Sequence, residues 1–329
     1  MGKFLAKGYR DKVYLATKLP HYLVKSIADA DRIFEEELRR LQTDHIDYYL
    51  MHMLTDIKSW ERLCDLGIQE WIEKRKAAGQ IRQVGFSYHG GTPGFLAVLD
   101  AYAWDFCQIQ FNYMDEHTQG GVEGLRRAAE LEIPVIIMEP LRGGRLAGGL
   151  PENAKKVFQK ADESRSPVEW GLRWIWNHPE VTTVLSGMND IKQVEENVRI
   201  ADDATADSLS EDELKVYDKA REEINRTVKV NCTGCGYCMP CPQGVDIPVC
   251  FRCYNVRFSD GWFNGLREYF MCTTLRAKKT NASLCIGCGK CEKHCPQKIA
   301  IRKELENVSK TMERLPYRVA RIVAKLVKF

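Results

Sequence analysis

The tightest constraint on this chain is the cysteine-rich stretch from Cys232 to Cys295. It opens Cys232-Thr-Gly-Cys235-Gly-Tyr-Cys238-Met-Pro-Cys241-Pro242 and closes Cys285-Ile-Gly-Cys288-Gly-Lys-Cys291-Glu-Lys-His-Cys295-Pro296. The second run reads C-x2-C-x2-C-x3-C-P, and the first differs only in a last gap of two residues. Three thiolates two residues apart on a tight turn can face three irons of one cubane. The fourth, held by the turn its proline forces, reaches a different cubane. On that rule Cys232, Cys235, Cys238 and Cys295 hold one [4Fe–4S] cluster, and Cys285, Cys288, Cys291 and Cys241 hold a second. A pair of zinc ribbons also uses C-x2-C pairs, but zinc has no need of a third cysteine two residues on. A disulfide framework is the remaining alternative. Cys64, Cys107, Cys250, Cys253 and Cys272 are left over and read as small buried hydrophobes.

The 329 residues suffice for a large core and a small second domain. The 48 basic and 45 acidic residues nearly balance at +3, which argues against a nucleic-acid binder. No apolar run is long enough to span a bilayer. Cysteines grouped as metal ligands, rather than as disulfide partners, lead us to expect a cytoplasmic, reducing location.

Ahead of the cysteines, short β-rich runs alternate with helical ones. The predicted strands are 12–17, 45–52, 81–87, 106–112, 134–138 and 181–185. The predicted helices are 26–41, 60–78, 93–102, 122–131, 167–177 and 190–201. Within 26–41, Ile27, Ala30, Ile33, Phe34, Leu38 and Leu41 recur at helical spacing, which predicts one buried stripe. Runs such as VYLAT and IPVIIM are apolar throughout, as parallel strands covered on both faces are. Strict alternation means a parallel sheet with helical crossovers, either doubly wound or most of an eight-fold barrel.

The strand ends favour the barrel, whose chemistry gathers at the C-terminal ends of its strands. Those ends carry Lys18, His52, Ser87, Gln108 with Asn112, Glu139 and Ser186-Gly187. No G-x-G-x-x-G follows a strand.

These residues carry a resemblance. Ala16-Thr17-Lys18, Asp47-Tyr48-Tyr49-Leu50-Met51-His52, Gly85-Phe86-Ser87 and Gln108-Ile109-Gln110-Phe111-Asn112-Tyr113 match the aldo/keto reductase family. So do Met138-Glu139-Pro140-Leu141-Arg142-Gly143-Gly144, Leu185-Ser186-Gly187-Met188 and Glu196-Asn197. With the cysteines included, the chain resembles the subgroup carrying a C-terminal ferredoxin-like domain. The resemblance implies a (β/α)8 TIM barrel over 1–229, here lacking its first two strands, a dicluster 4Fe-4S domain over 230–303 and a helical tail over 304–329. It implies NADP or NAD bound in the barrel mouth, and hydride transfer to or from a small carbonyl or alcohol. Lys18 and His52 match two of the four acid–base residues of the family. Ser87 and Gln108 match the pair that holds the nicotinamide carboxamide, and Met138 stands where many members place an aromatic ring. Leu141 and Gly143 match the pyrophosphate turn. Ser186, Gly187, Met188, Gln193, Glu196 and Asn197 match the segment that grips the adenosine end.

Family members also take an Asp and a Tyr from an Asp-x-x-x-x-Tyr segment ahead of the Lys strand, and Tyr9, Asp11 and Tyr14 do not occupy matching positions. The chain is therefore expected to be N-terminally truncated and to turn over carbonyls poorly, since a positioned acid is worth roughly 10²–10⁴-fold. The alternative is a non-catalytic electron-transfer or iron–sulfur scaffold protein; the two clusters suggest one-electron traffic with a ferredoxin-like or flavin electron-transfer partner, or else serve as structural staples. In the tail, Val319, Ile322, Val323 and Leu326 form an apolar stripe beside Arg318, Arg321, Lys325 and Lys328. It is expected to dock on its own protein, after a break at Pro316, with an interfacial membrane helix or a partner-binding helix as the alternatives.

Overall fold

Six parallel strands, β1 (Ala16–Leu19), β2 (Ile46–Leu54), β3 (Ile81–Tyr88), β4 (Phe106–Gln110), β5 (Val135–Met138) and β6 (Val181–Val184), lie side by side in chain order. This is a computed structural model that describes residues 1–259, 261–274 and 278–326, with side chains described to residue 322. A doubly wound sheet would reverse its strand order part-way. An uninterrupted parallel order with helical crossovers is barrel winding. The chain divides into two compact units, Met1–Pro140 with Arg173–Ser208 and Leu141–Leu172 with Leu209–Phe329.

The sheet belongs wholly to the first unit, and alternation sorts its side chains into two faces. On one face Phe34, Tyr49 and Trp71 stack edge to face, as do Phe86, Tyr88 and Phe95, so that helices Ile27–Leu41, Ile68–Ala77 and Thr92–Asp100 are held by aromatic contacts. On the other, the rings of Tyr48 in β2 and Phe106 in β4 meet at 5.3 Å. They can do so because Gly85 lies between them on β3, where a Cβ would stand 2.5 Å from the Phe106 carbonyl oxygen. Asp47, 2 % exposed near the start of β2, accepts from Leu15 N at 2.9 Å and pairs with Arg10 at 2.9 Å and Arg82 at 3.3 Å.

Two of the predicted elements differ most from the sequence reading. The first strand begins at Ala16 rather than at 12, where its ladder with Tyr48 starts. Residues 10–12 form a helical turn instead, and Tyr14 is 74 % exposed. The single helix predicted over 60–78 is two, Ile57–Asp65 and Ile68–Ala77. Gly67 parts them at φ 89°, a conformation that favours glycine.

In the second unit, helices Glu152–Ala161 and Glu211–Thr227 were not foreseen. The latter starts on a capping box between Ser210 and Glu213. Phe158, Trp170 and Tyr217 pack between them, and the Tyr217 hydroxyl donates to the Trp170 carbonyl at 2.8 Å. Farther on, helices Ile247–Ser259 and Ile301–Met312 bury Val245, Ile247, Phe251, Ile301, Leu305 and Val308 in one core. Cys250 and Cys253 belong to that core as small hydrophobes, and Cys107 is fully buried in β4. Cys64 and Cys272 are only half-buried.

The tail helix breaks at Glu313–Arg314, before Pro316. Proline is tolerated in a first helical turn because its missing N–H has no partner there. The expected docking of the tail stripe is not what the structure shows. Val319 and Ile322 are 51 % and 57 % exposed. The side chains of Val323, Lys325 and Leu326, and all of Lys328, lie outside the described residues.

Candidate functional site

Lys18, His52, Ser87, Gln108 and Met138 stand at the C-terminal ends of β1 to β5 in the first unit. Burial lowers the pKa of the Lys18 amine. His52 is pulled down to about 4, by burial first and then by the charges of Lys18 and His21. His89, one residue past β3 and 7 % exposed, is also pulled down to about 4. Burial is again the main cause, a hydrogen bond with Gln119 opposes it, and His52 and Lys18 add to it. One cationic amine and two imidazoles kept neutral therefore sit within electrostatic reach of one another. The exposed Tyr22 brings a phenol ring to 6.3 Å from the His52 ring.

The backbone at these ends is distorted. The β2–β3 ladder shifts register between Met51 and Leu54, and Met53 adopts φ 61°. That turn lets Met53 N donate to Ser87 Oγ at 2.8 Å and brings the Met53 carbonyl 3.2 Å from His21 Nε2. Glu139, just past β5, sits at φ 54°. Left-handed non-glycine residues cost of order 1–3 kcal/mol and collect where function over-determines the backbone. Gln108 Nε2 donates to the Met138 sulfur at 3.0 Å. Beyond β6, Asn197 Nδ2 donates to Ser186 Oγ at 3.0 Å and Asn189 N to Gln193 Oε1 at 3.2 Å. Gly187 has open space where a side chain would stand, Met188 is 39 % exposed, and Glu196 lies on helix Ile191–Asp203. Leu141 and Gly143 belong to the second unit, in a turn closed by Gly144 N donating to the Leu141 carbonyl at 2.9 Å. Gly143 and Gly144 take φ 62° and 86° there.

Also in the second unit, Cys232, Cys235, Cys238 and Cys295 line one pocket, walled by Ile247, Pro248, Phe251, Ile299 and Ile301. This is the cross-paired set that the spacing predicts. Gly234 and Gly236 take φ 79°, and Gly287 and Gly289 take φ 72° and 71°, so the same tight turn is built twice. Burial, reinforced by Cys232, Cys235 and Cys295, pushes the Cys238 thiol up to about 12. Four thiolates can share such a pocket only around a cationic group. A tetrahedral zinc site takes its four ligands as two pairs and leaves no role for a third cysteine two residues on. The donor set thus fits a cluster better than a mononuclear ion. In the other set, burial pushes Cys291 up, and Glu292 and Cys285 beside it add to the shift. Cys241 packs against the same core, and Cys288 is exposed.

The aldo/keto reductase family matches residues 1–222. The chain belongs to the aldo/keto reductase family. A second family, described as a 4Fe-4S dicluster domain, matches residues 231–300. The chain is similar to an uncharacterized oxidoreductase, YrpG, of Bacillus subtilis, 26% identical over 235 residues that cover 60% of this chain and 71% of that one. It is equally similar to the methylglyoxal reductase YeaE of Escherichia coli, 26% identical over 239 residues covering 65% and 71%. Among solved structures it resembles the aldo-keto reductase AKR11C1 from Bacillus halodurans in its holo form. That likeness has a TM-score of 0.54 and 28% identity, over 67% of this chain and 75% of that one. An aldo/keto reductase from Klebsiella pneumoniae in complex with NADP and acetate gives a TM-score of 0.51 at 28% identity, over 66% and 73%. Among the described residues no helix is long and apolar enough to cross a membrane.

Within this aldo/keto reductase, the sequence reading did not single out His21 or Tyr22. His21 and Tyr22 follow Lys18 by three and four residues, which is the signal that could have found them. The buried imidazole of His89 has a measurable consequence. Its folded pKa lies below the usual value near 6.5, so the unfolded chain takes up the proton first as pH falls. Stability is complete above about pH 6.5 and is lost as pH falls toward about 4. Between about pH 7 and pH 5 the loss should be about 2 kcal/mol. Urea unfolding followed by tryptophan fluorescence should show that slope in the parent and a flatter one in His89→Gln. Equal slopes would mean that His89 does not titrate as buried.

Proposed function

We propose that this chain is an iron–sulfur oxidoreductase that binds NADP or NAD at the strand ends of its first unit and reduces a small carbonyl or oxidises the matching alcohol. The observation that carries the reading is the convergence of Lys18, His52 and His89 at the strand ends, beside Ser87 and Gln108. When bound, the nicotinamide supplies or accepts a hydride at the carbonyl carbon. Ser87 and Gln108 hold its carboxamide, and Met138 packs against its ring. Ser186, Gly187, Met188, Gln193, Glu196 and Asn197 take the adenosine end. The Klebsiella relative was solved with NADP, which favours the phosphorylated nucleotide.

His52, neutral above about pH 4, donates a ring N–H to the carbonyl oxygen and orients it. Lys18, whose amine loses its proton more readily through burial, sits where a proton is exchanged with the alcohol oxygen. The cysteines of residues 230–303 hold two [4Fe–4S] clusters in the pairing given by the spacing, and such clusters pass single electrons. Residues 1–229 form the reductase domain and 304–329 the tail. A reducing cytoplasm keeps these thiols available as ligands.

The test is isotopic. Anaerobically purified chain, given NADPH deuterated at the transferring position and a panel of aldehydes and ketones, should slowly yield alcohol with one deuterium on the former carbonyl carbon. Lys18→Met should slow this by a further factor of about 10². Alcohol without deuterium, or the same rate in Lys18→Met, would remove the reading and leave an electron-transfer or scaffold role.

A further inference from the structure

The helix Leu315–Leu326 leaves unsatisfied the face that a docked tail would bury. Leu315, Val319 and Ile322, spaced i, i+4 and i+7, form one stripe and are 73 %, 51 % and 57 % exposed. Tyr317 shows why. It projects on the opposite side of the helix, is 1 % exposed, and is the residue that anchors the helix to the second unit. Its hydroxyl lies 2.7 Å from Thr274 Oγ1 and accepts from Asn281 Nδ2 at 2.8 Å. Its ring packs against Tyr269 and Phe270 at 5.8 Å each. With Tyr317 turned inward, helical geometry holds the Leu315–Val319–Ile322 stripe outward.

The charges beside the stripe are of one sign. Residues 314–329 contain five basic side chains, Arg314, Arg318, Arg321, Lys325 and Lys328, and no Asp or Glu. At 100° per residue the described Arg318 and Arg321 fall on one flank of the helix, next to the apolar stripe, and in the sequence Val323 and Leu326 keep the apolar spacing. Glu313, at the turn before the helix, does not neutralise this flank. It is buried and bonded to the Tyr269 hydroxyl at 2.7 Å and to Ser283 N at 3.1 Å.

We propose that this helix is an interfacial anchor that lays its apolar stripe into the headgroup boundary of an anionic lipid bilayer, with the basic flank on the lipid phosphates. Charge complementarity argues for this occupant. A narrow stripe of aliphatic side chains beside cations alone suits a fluid, uniformly anionic surface. The helix offers no acidic side chain to a partner's cations, and among the described residues no helix is long and apolar enough to cross a membrane. It therefore lies on the surface, fixed to the iron–sulfur unit through Tyr317.

The test uses the whole anaerobically purified chain and vesicles of phosphatidylcholine alone or mixed equally with phosphatidylglycerol. Sedimentation with the mixed vesicles is expected, with little on phosphatidylcholine alone and release at high salt. Val319→Glu with Ile322→Glu should weaken this binding at least about tenfold, and Arg318→Gln with Arg321→Gln should weaken it on mixed vesicles only. Arg318, Val319 and Ile322 are exposed and Arg321 is half-buried, so iron content and circular dichroism should match the parent in both variants. No sedimentation on either vesicle would overturn the proposal, as would unchanged binding by the Val319→Glu/Ile322→Glu variant. Failure on vesicles combined with stripe-dependent binding to an acidic ferredoxin would overturn it in favour of a protein partner.

Discussion

Replacing Cys238 with alanine is expected to remove one cluster and to loosen the fold from Val230 to Met312. Cys238 faces Cys232, Cys235 and Cys295 in a single apolar pocket, so three neighbouring thiols would be left without the group that holds them together. Structural metal sites contribute roughly 10–16 kcal/mol where the site forms only on folding. A domain's net stability is only about 5–15 kcal/mol, so losing a cluster is comparable to losing all of it. Iron and acid-labile sulfide per chain should fall by about half, and limited proteolysis should cut within 230–312. The cross-pairing sharpens the expectation. Cys295→Ala should mimic Cys238→Ala although it lies in the other run, whereas Cys241→Ala should remove the other cluster. Cys253→Ala, buried in the same core but outside the ligand pattern, should leave iron unchanged.

Replacing Asp47 with alanine is expected to be the most damaging single change in the first unit outside its apolar core. The carboxylate is almost fully buried near the N-terminal end of β2, the end of a barrel where such residues serve stability. It accepts from Leu15 N and faces two guanidiniums. Arg10, with 15 % of its side chain exposed, would lose its counter-charge, and a buried N–H would lose its acceptor. Breaking a buried pair in this way costs about 3–5 kcal/mol. Arg82 is 58 % exposed, so Arg82→Ala should cost no more than about 1 kcal/mol. Urea unfolding of the two variants side by side separates these outcomes. A loss below about 1 kcal/mol in Asp47→Ala would mean that solvent reaches the pair.

Those two sites show what sequence can and cannot carry. The gathering of the cysteines is legible in their spacing, which predicts that Cys295 joins Cys232, Cys235 and Cys238, and these four line one pocket. The strands are legible because parallel strands covered on both faces are apolar throughout. Where β1 begins is not, because VYLAT is apolar through Val13 and Tyr14, and only the ladder to Tyr48 decides that pairing starts at Ala16. Asp47 was read as part of a family motif, since its partners Arg10 and Arg82 lie 37 and 35 residues away. The neighbours of His89 are hidden in the sequence for the same reason. Its proximity to His52 and Lys18 exists only once β1, β2 and β3 are adjacent. The tail failed differently. Its amphipathic pattern is plain in the sequence, but which side faces the protein is set by one residue, Tyr317, that lies off the stripe.

The account rests on a nicotinamide site at the strand ends, and the most direct measurement is a fluorescence titration of the anaerobically purified chain with NADPH and with NADH. Energy transfer from tryptophan to the reduced nicotinamide should saturate with at least one of the two. Removing one hydrogen bond in Ser87→Ala or Asn197→Ala should weaken that binding up to about tenfold. The absence of a saturable signal with either nucleotide, or identical affinities in the parent and both variants, would contradict the assignment.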